Sequence, residues 1–359
     1  MISLIPNESI FDWVRCKFLK INYDLGRIHT MNIKDILIEN QFNGSVMVYT
    51  NDQILALESL GYSDIEHKIP FHPTTRMRIG SITKQMTAAG IMLLVNQGLL
   101  SLHQTIQPFF PDYRYSHRIT IHHLLTHTSG IANYPVDGDY SMLKDEPDFY
   151  MALIKNIIDP YPLHFEPGSS FEYSGSGYIF LTKIIELISK KTYPQFMNES
   201  IFKPLNMINT GFDDARNLDL AKAYDGKDGY VFDAPFVDMR IAGGGGGLFS
   251  SMEDLLIWNR SILNHQLLDV PTIDLMQTRH FEIDESNASG YGLFLALEHD
   301  ANPPQHLIYH AGGGPGVQAM NTYFVEQNIG LIMMSNVNDK KRFTPVREKL
   351  YNIIRNYKK

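Results

Sequence analysis

A serine attacks a carbonyl only when a base takes its proton, because the free hydroxyl is a poor nucleophile. The chain offers a serine followed three residues later by lysine in three places: Ser81–Lys84, Ser141–Lys144 and Ser200–Lys203. Residues three apart share a face of a helix, so the ammonium nitrogen can reach the hydroxyl. A lysine serves as the base if burial and the positive end of a helix lower its pKa. Context separates the three pairs. Ser141 lies in a polar, acidic stretch with Asp139, Asp145 and Glu146. Ser200 precedes Lys203-Pro204, where proline is expected to force the chain out of a helix. Ser81 follows Gly80 and opens the run Gln85–Val95, which is too long for an ordinary strand and nearly apolar all round. That pattern predicts a buried helix closed by Gly98, with Ser81 at its N-terminus. There the Ser81 main-chain N–H is offered to a developing oxyanion.

Other stretches carry weaker signals, each with a plainer reading beside it. Tyr173 precedes Ser174-Gly175-Ser176-Gly177 and would sit in a loop before a helix, where a phenol beside a serine–lysine pair can relay a proton; most tyrosines simply pack. His310-Ala311-Gly312-Gly313-Gly314 ends an expected strand in small residues, which let a substrate lie close and can supply a second oxyanion N–H; it also reads as a plain glycine turn. Gly243–Gly247 is followed by no lysine and lacks the strand–loop–helix context of a phosphate loop, so a flexible, close-approach turn is the better reading. His123 and His127 stand four apart, but no glutamate lies between them and no third ligand is evident, so helix capping near Thr128-Ser129-Gly130 is expected rather than a metal. No Gly-x-Ser-x-Gly occurs, which disfavours the nucleophile-elbow hydrolases. No cofactor is called for.

These groups need a scaffold large enough to bury one of their number. The chain has 359 residues, 44% of them hydrophobic, sufficient for one large domain or two lobes. A net charge of -8 without a long basic run argues against nucleic acid as a partner. One cysteine, Cys16, allows no internal disulfide. No apolar stretch is long enough for a membrane span, and the first residues lack the pattern of a signal peptide, so a cytoplasmic location is favoured. A hairpin is expected from Gly44–Thr50 and Ile54–Tyr62, a short strand at Met77–Ile79, and helices at Tyr150–Ile158 and Tyr178–Ser189. Ser250 with Glu253 reads as a capping box opening a helix through Trp258. Strands are expected at Tyr291–Leu297, Leu307–His310, Val317–Val325 and Ile329–Ser335, and an amphipathic helix over residues 344–357. Strands at both ends with helices between predict an α/β (α+β) fold. Its antiparallel sheet would be built from residues 1–98 and 241–359, with a mainly helical insertion at 99–240 and the active site between them.

Taken together, these pieces resemble the serine β-lactamase and penicillin-binding-protein-like hydrolases, nearest the branch of class C β-lactamases, D-alanyl-D-alanine carboxypeptidases and related esterases. Arg78-Ile79-Gly80-Ser81-Ile82-Thr83-Lys84 is similar to the family's Ser-x-x-Lys element. Leu124-Leu125-Thr126-His127-Thr128-Ser129-Gly130 resembles its helix-ending signature, Tyr173-Ser174-Gly175 its second motif and His310-Ala311-Gly312 its third. Order and spacing agree across roughly residues 42–340. The resemblance implies that Ser81 forms an acyl-enzyme, that Lys84 and Tyr173 handle its proton, and that the N–H groups of Ser81 and Gly313 hold the oxyanion. Two positions depart from the pattern. Gly175 stands where the family usually has asparagine, and His310 where it often has lysine. Both argue against an efficient β-lactamase and leave hydrolysis of a small ester, amide or peptide open. A binding or assembly protein that keeps the fold without strong catalysis is the alternative.

Overall fold

A computed structural model of the chain describes residues 33–135, 138–214, 219–299 and 304–357. The expectations for Cys16 and the N-terminal leader fall outside them. Among the described residues the largest sheet has eight antiparallel strands. In chain order they are β1 (Gly44–Tyr49), β2 (Ile54–Leu60), β3 (Phe281–Glu282), β4 (Asn287–Ser289), β5 (Phe294–Glu298), β6 (Gln305–Gly314), β7 (Val317–Phe324) and β8 (Ile329–Ser335). Their spatial order, β3-β4-β5-β6-β7-β8-β1-β2, inserts the N-terminal hairpin beside the last C-terminal strand. Val46 of β1 faces Met333 of β8 across that junction.

Both faces of the central strands are covered. Val46 and Val48 on β1, with Leu331 and Met333 on β8, point into one core with Leu37 of helix α1 (Ile33–Glu39) and Val346, Leu350 and Ile354 of helix α5 (Lys340–Arg355). Met47 and Tyr49, with Ile332 and Met334, point into the other core, against helices α2 (Thr83–Asn96) and α4 (Met252–Leu263). Successive side chains alternate faces, and two covered faces explain why β1 and β8 are apolar at nearly every position. Between α2 and α4 in sequence lies the helical part, including α3 (Gly175–Ser189), whose side chains from Ser176 to Ile185 are buried. No helix among the described residues is long and apolar enough to cross a membrane.

Several boundaries differ from the sequence expectations. Ser81 sits in a 3₁₀ turn, Gly80–Ile82, that feeds α2 rather than in α2 itself. Gly98 takes φ +71°, the left-handed geometry of a helix end. The cap of α4 is Ser251, which accepts from the Asp254 N–H, and not Ser250; the Ser250 hydroxyl is engaged with Thr210. Tyr291–Leu293 is a bend, so β5 begins only at Phe294. The third-motif strand does not end at His310: β6 runs on through Gly314, paired with β7 from Gly312↔Ala319 to Gly314↔Val317. Helix 150–158 turns into a π-helix over Ile154–Ile158. Pro204 does not break the chain out of a helix. It follows a π-turn, Asn198–Phe202, and opens the short α-turn Lys203–Leu205, where its missing N–H is tolerated. Gly243–Gly246 is a buried helical turn, not a flexible loop.

Candidate active site

Ser81 and Lys84 are brought together as their spacing predicts. Lys84 Nζ donates to Ser81 Oγ at 3.2 Å. Lys84 is 2% exposed, and its second hydrogen bond goes to a neutral group, the Gly245 carbonyl, at 2.6 Å. No carboxylate pairs with it among the described residues. Its remaining neighbours are aromatic: the nitrogen lies 4.8 Å from the centre of the Tyr173 ring and 5.2 Å from that of Tyr178. The other serine–lysine pairs show no such construction. Ser141 and Lys144 are both exposed, and the Ser200–Lys203 pair has no hydrogen bond between its side chains.

The glycine run holds the lysine. A Cβ on Gly244 would come within 2.7 Å of Thr182 Oγ1 and 2.9 Å of Thr87 Cγ2, so the turn packs directly on α2 and α3. Thr87 and Thr182 tie it there, Thr87 donating to the Gly244 carbonyl and Thr182 accepting from the Gly244 N–H. That close approach sets the Gly245 carbonyl over Lys84.

Tyr173 stands just before α3, half-exposed, with its ring 4.5 Å from that of His127. His127 has φ +60°, uncommon for a residue with a side chain. Its Nδ1 accepts the Ser174 N–H and its carbonyl accepts the Glu172 N–H, so it seats the whole Glu172–Ser174 segment. Burial and the charge of Lys84 hold His127 neutral, its pKa well below the usual value. The helix Ile121–Leu125 does end here as expected: His127 takes the left-handed cap position after Thr126, and the Thr128 N–H returns to the His123 carbonyl at 3.0 Å. His123 caps at the start of its helix, with Thr120, and no group of three metal-binding side chains occurs among the described residues.

His310 is buried, and its Nδ1 donates to the Ala311 carbonyl at 2.7 Å. That fixes the tautomer, leaving Nε2 as a bare acceptor without a partner among the described residues. Burial, then the nearby Lys84 charge, pushes its pKa down to about 3, so the ring is neutral. Its ring packs, tilted, against Phe294 and Tyr173 at centroid distances of 5.3 and 6.2 Å instead of lining the cleft.

The glycines after it have separate duties. A Cβ on Gly312 would fall 2.0 Å from the Ile79 carbonyl, so β6 can lie against the Ser81 turn only with glycine there. Gly313 opens onto empty space, and its N–H lies 2.8 Å from where a Cβ on Gly80 would be. Gly80 itself has φ +52°. The backbone of Gly313 thus lies against Gly80, the residue before Ser81.

The cleft contains about 690 Å³ of space, its open mouth included; Ser81, Lys84, Tyr173, Gly175 and Gly313 line it. Two lining residues escaped sequence reasoning. Arg78, in the Ser-x-x-Lys stretch, is paired to buried Asp213 at 2.7 Å. Asn133 lies three residues beyond Gly130 and accepts the Gly175 N–H at 2.7 Å; nothing local marks it, because its partner is 42 residues away. A serine hydroxyl, a buried amine and a phenol in one cleft are groups that can carry out acyl transfer.

Comparison with known proteins gives the chain's family and relatives of the same fold. The family model described as Beta-lactamase matches residues 33–353. PbpX of Bacillus subtilis (strain 168), provisionally named a penicillin-binding protein, is 27% identical over 324 residues, spanning 90% of this chain and 78% of that protein. Among solved structures, the penicillin binding protein from Bacillus halodurans superposes with a TM-score of 0.77 at 24% identity, covering 90% of this chain and 99% of the other. D-amino acid amidase from Ochrobactrum anthropi SV3 gives 0.75 at 23% identity, covering 89% and 98%.

Proposed function

Because this chain belongs to the Beta-lactamase family, a family of serine hydrolases of β-lactamase and penicillin-binding type, we propose that it hydrolyses a small ester, amide or peptide through an acyl-enzyme on Ser81. The observation that carries this is the buried Lys84 Nζ, 3.2 Å from Ser81 Oγ in an open cleft. In this reading Ser81 Oγ bonds to the carbonyl carbon as Lys84 and Tyr173 take up the hydroxyl proton. The carbonyl electrons move onto oxygen, held by the N–H groups of Ser81 and Gly313. The tetrahedral adduct collapses, the bond to the leaving group breaks, and that group departs with a proton relayed by Lys84 and Tyr173. Water then attacks the ester on Ser81 by the same path in reverse. Each lost oxyanion donor costs on the order of 100-fold or more.

Substrate enters, in this reading, between the sheet domain (1–98 and 241–359) and the helical one (99–240). A neutral, buried His310 cannot hold a substrate carboxylate by charge, so we read it as an acceptor beside Tyr173. That favours acyl donors that do not depend on a carboxylate anchor at this point, and the likeness to an amidase supports the same class.

The test is intact-mass measurement after exposure to a chromogenic cephalosporin, a short-chain aryl ester and a D-alanyl-D-alanine peptide, for the wild type and Ser81→Ala. An adduct or turnover absent from the variant identifies the nucleophile and ranks the substrates. No adduct and no turnover with any of them favours the second reading, a binding protein, for which Gly175 in place of asparagine is the supporting observation.

A further inference from the structure

Gly175 has no side chain to offer the cleft, yet a side-chain amide stands beside it. A Cβ on Gly175 would lie 3.3 Å from Asn133 Oδ1. Asn133 lines the same cleft as Ser81 and Tyr173. The two segments are laced together. Ser174 Oγ donates to the Ile131 carbonyl at 3.2 Å, Ser176 Oγ to the Ala132 carbonyl at 2.7 Å, the Tyr134 N–H to Ser176 Oγ at 3.1 Å, and the Gly175 N–H to Asn133 Oδ1 at 2.7 Å. The last bond orients the amide, because an N–H can be accepted only by its oxygen. Asn133 therefore has its oxygen turned to the start of α3 and keeps two N–H donors on Nδ2, which has no partner among the described residues.

We propose that Asn133 supplies, from a separate segment of the chain, a substrate-contacting amide beside Gly175, donating from Nδ2 to a hydrogen-bond acceptor on the acyl side of the substrate. The preferred acyl group then carries a carbonyl oxygen near the scissile bond, as an N-acylated amino acid does. The assignment rests on the Ser81 acyl-enzyme proposed above. It differs from a purely structural role for Asn133, which would need only the oxygen that accepts the Gly175 N–H.

Two substrates of equal length separate the roles: the para-nitrophenyl ester of N-acetylglycine, which has the acceptor, and para-nitrophenyl pentanoate, which has methylenes in its place. The quantity read is the ratio of their acylation rates on Ser81, referred to wild type so that intrinsic reactivity cancels. Asn133→Asp keeps the acceptor for the Gly175 N–H and removes the donors. It and Asn133→Ala lower the ratio about 3- to 10-fold, the worth of one partly exposed hydrogen bond. A negative charge in the cleft slows both neutral esters alike and leaves the ratio alone. The double variant Asn133→Ala/Gly175→Asn returns the amide on the neighbouring backbone and restores the ratio. An unchanged ratio in Asn133→Asp, or no recovery in the double variant, overturns the assignment while the Ser81 reading stands. If neither ester acylates the wild-type protein on Ser81, the acyl-enzyme reading falls and takes this one with it.

Discussion

Lys84 Nζ donates to the main-chain carbonyl of Gly245, 161 residues away, at 2.6 Å. A carbonyl dipole fixes the lysine's position without adding the charge that a carboxylate would. The nitrogen stays directed at Ser81, and the geometry depends on two distant pieces of chain staying packed.

Ser81→Ala removes the proposed nucleophile and leaves the packing of α2 untouched. Acylation and turnover should fall by about 10⁴-fold or more, with an unchanged thermal midpoint. Ser141→Ala and Ser200→Ala should retain turnover close to wild type. Steady-state assays with the best ester from the mass survey check all three, and an equal loss at either of the latter positions would move the nucleophile there.

Gly312 and Gly313 should respond oppositely to the same change. Gly312→Ala drives a methyl group into the Ile79 carbonyl, 2.0 Å away. It should destabilise by about 3 kcal/mol or more, at or beyond the upper end of overpacking costs. Gly313→Ala meets nothing within 4 Å and should unfold in denaturant at the wild-type midpoint. Paired denaturation curves decide the matter.

Restoring the family's lysine at the third motif should harm this protein. His310→Lys places an ammonium in a buried site beside Lys84, the surroundings that already hold the histidine neutral. The loss should be about 2 kcal/mol or more at pH 7. Because burial lowers the new lysine's pKa, part of the loss should return near pH 9.5, where the group sheds its proton. A loss of the same size at both pH values would place the cause in shape rather than charge.

A histidine cluster makes stability sensitive to acid. His122 is pushed down to about 4, first by burial and then by His280, His123 and His103; His123 and His280 are lowered for the same first reason. The His122 Nδ1 also meets the Tyr291 hydroxyl at 2.8 Å. The unfolded chain takes up these protons near pH 6.5, whereas all three histidines resist protonation there in the folded chain, His122 until about pH 4. Stability should therefore drop as pH falls through that window. Thermal midpoints measured across it should fall less steeply for His122→Phe/Tyr291→Phe than for wild type.

Much of the scaffold was legible because the information is local. The apolar run behind Ser81 forms its helix through side chains within a few turns of one another, and β1, β2 and β8 follow from short apolar runs between turn residues. The errors came where long-range bonding overrides local preference. Three glycines after His310 read as a turn, but the ladder to β7 supplies the hydrogen bonds that keep them extended. Ser250 reads as a cap, but its hydroxyl is drawn to Thr210, which leaves the cap to Ser251.

The sequence by itself determined that Ser81 and Lys84 pair, since the two meet through one turn of backbone, and it determined the helix that follows Ser81 and carries Lys84. Only the tertiary structure decided what surrounds that pair. That Gly245 holds the lysine, that Asn133 stands beside Gly175, and that His310 is neutral all depend on groups far apart in the chain. Hydrogen-bond geometry and desolvation act through space, so no local pattern records them.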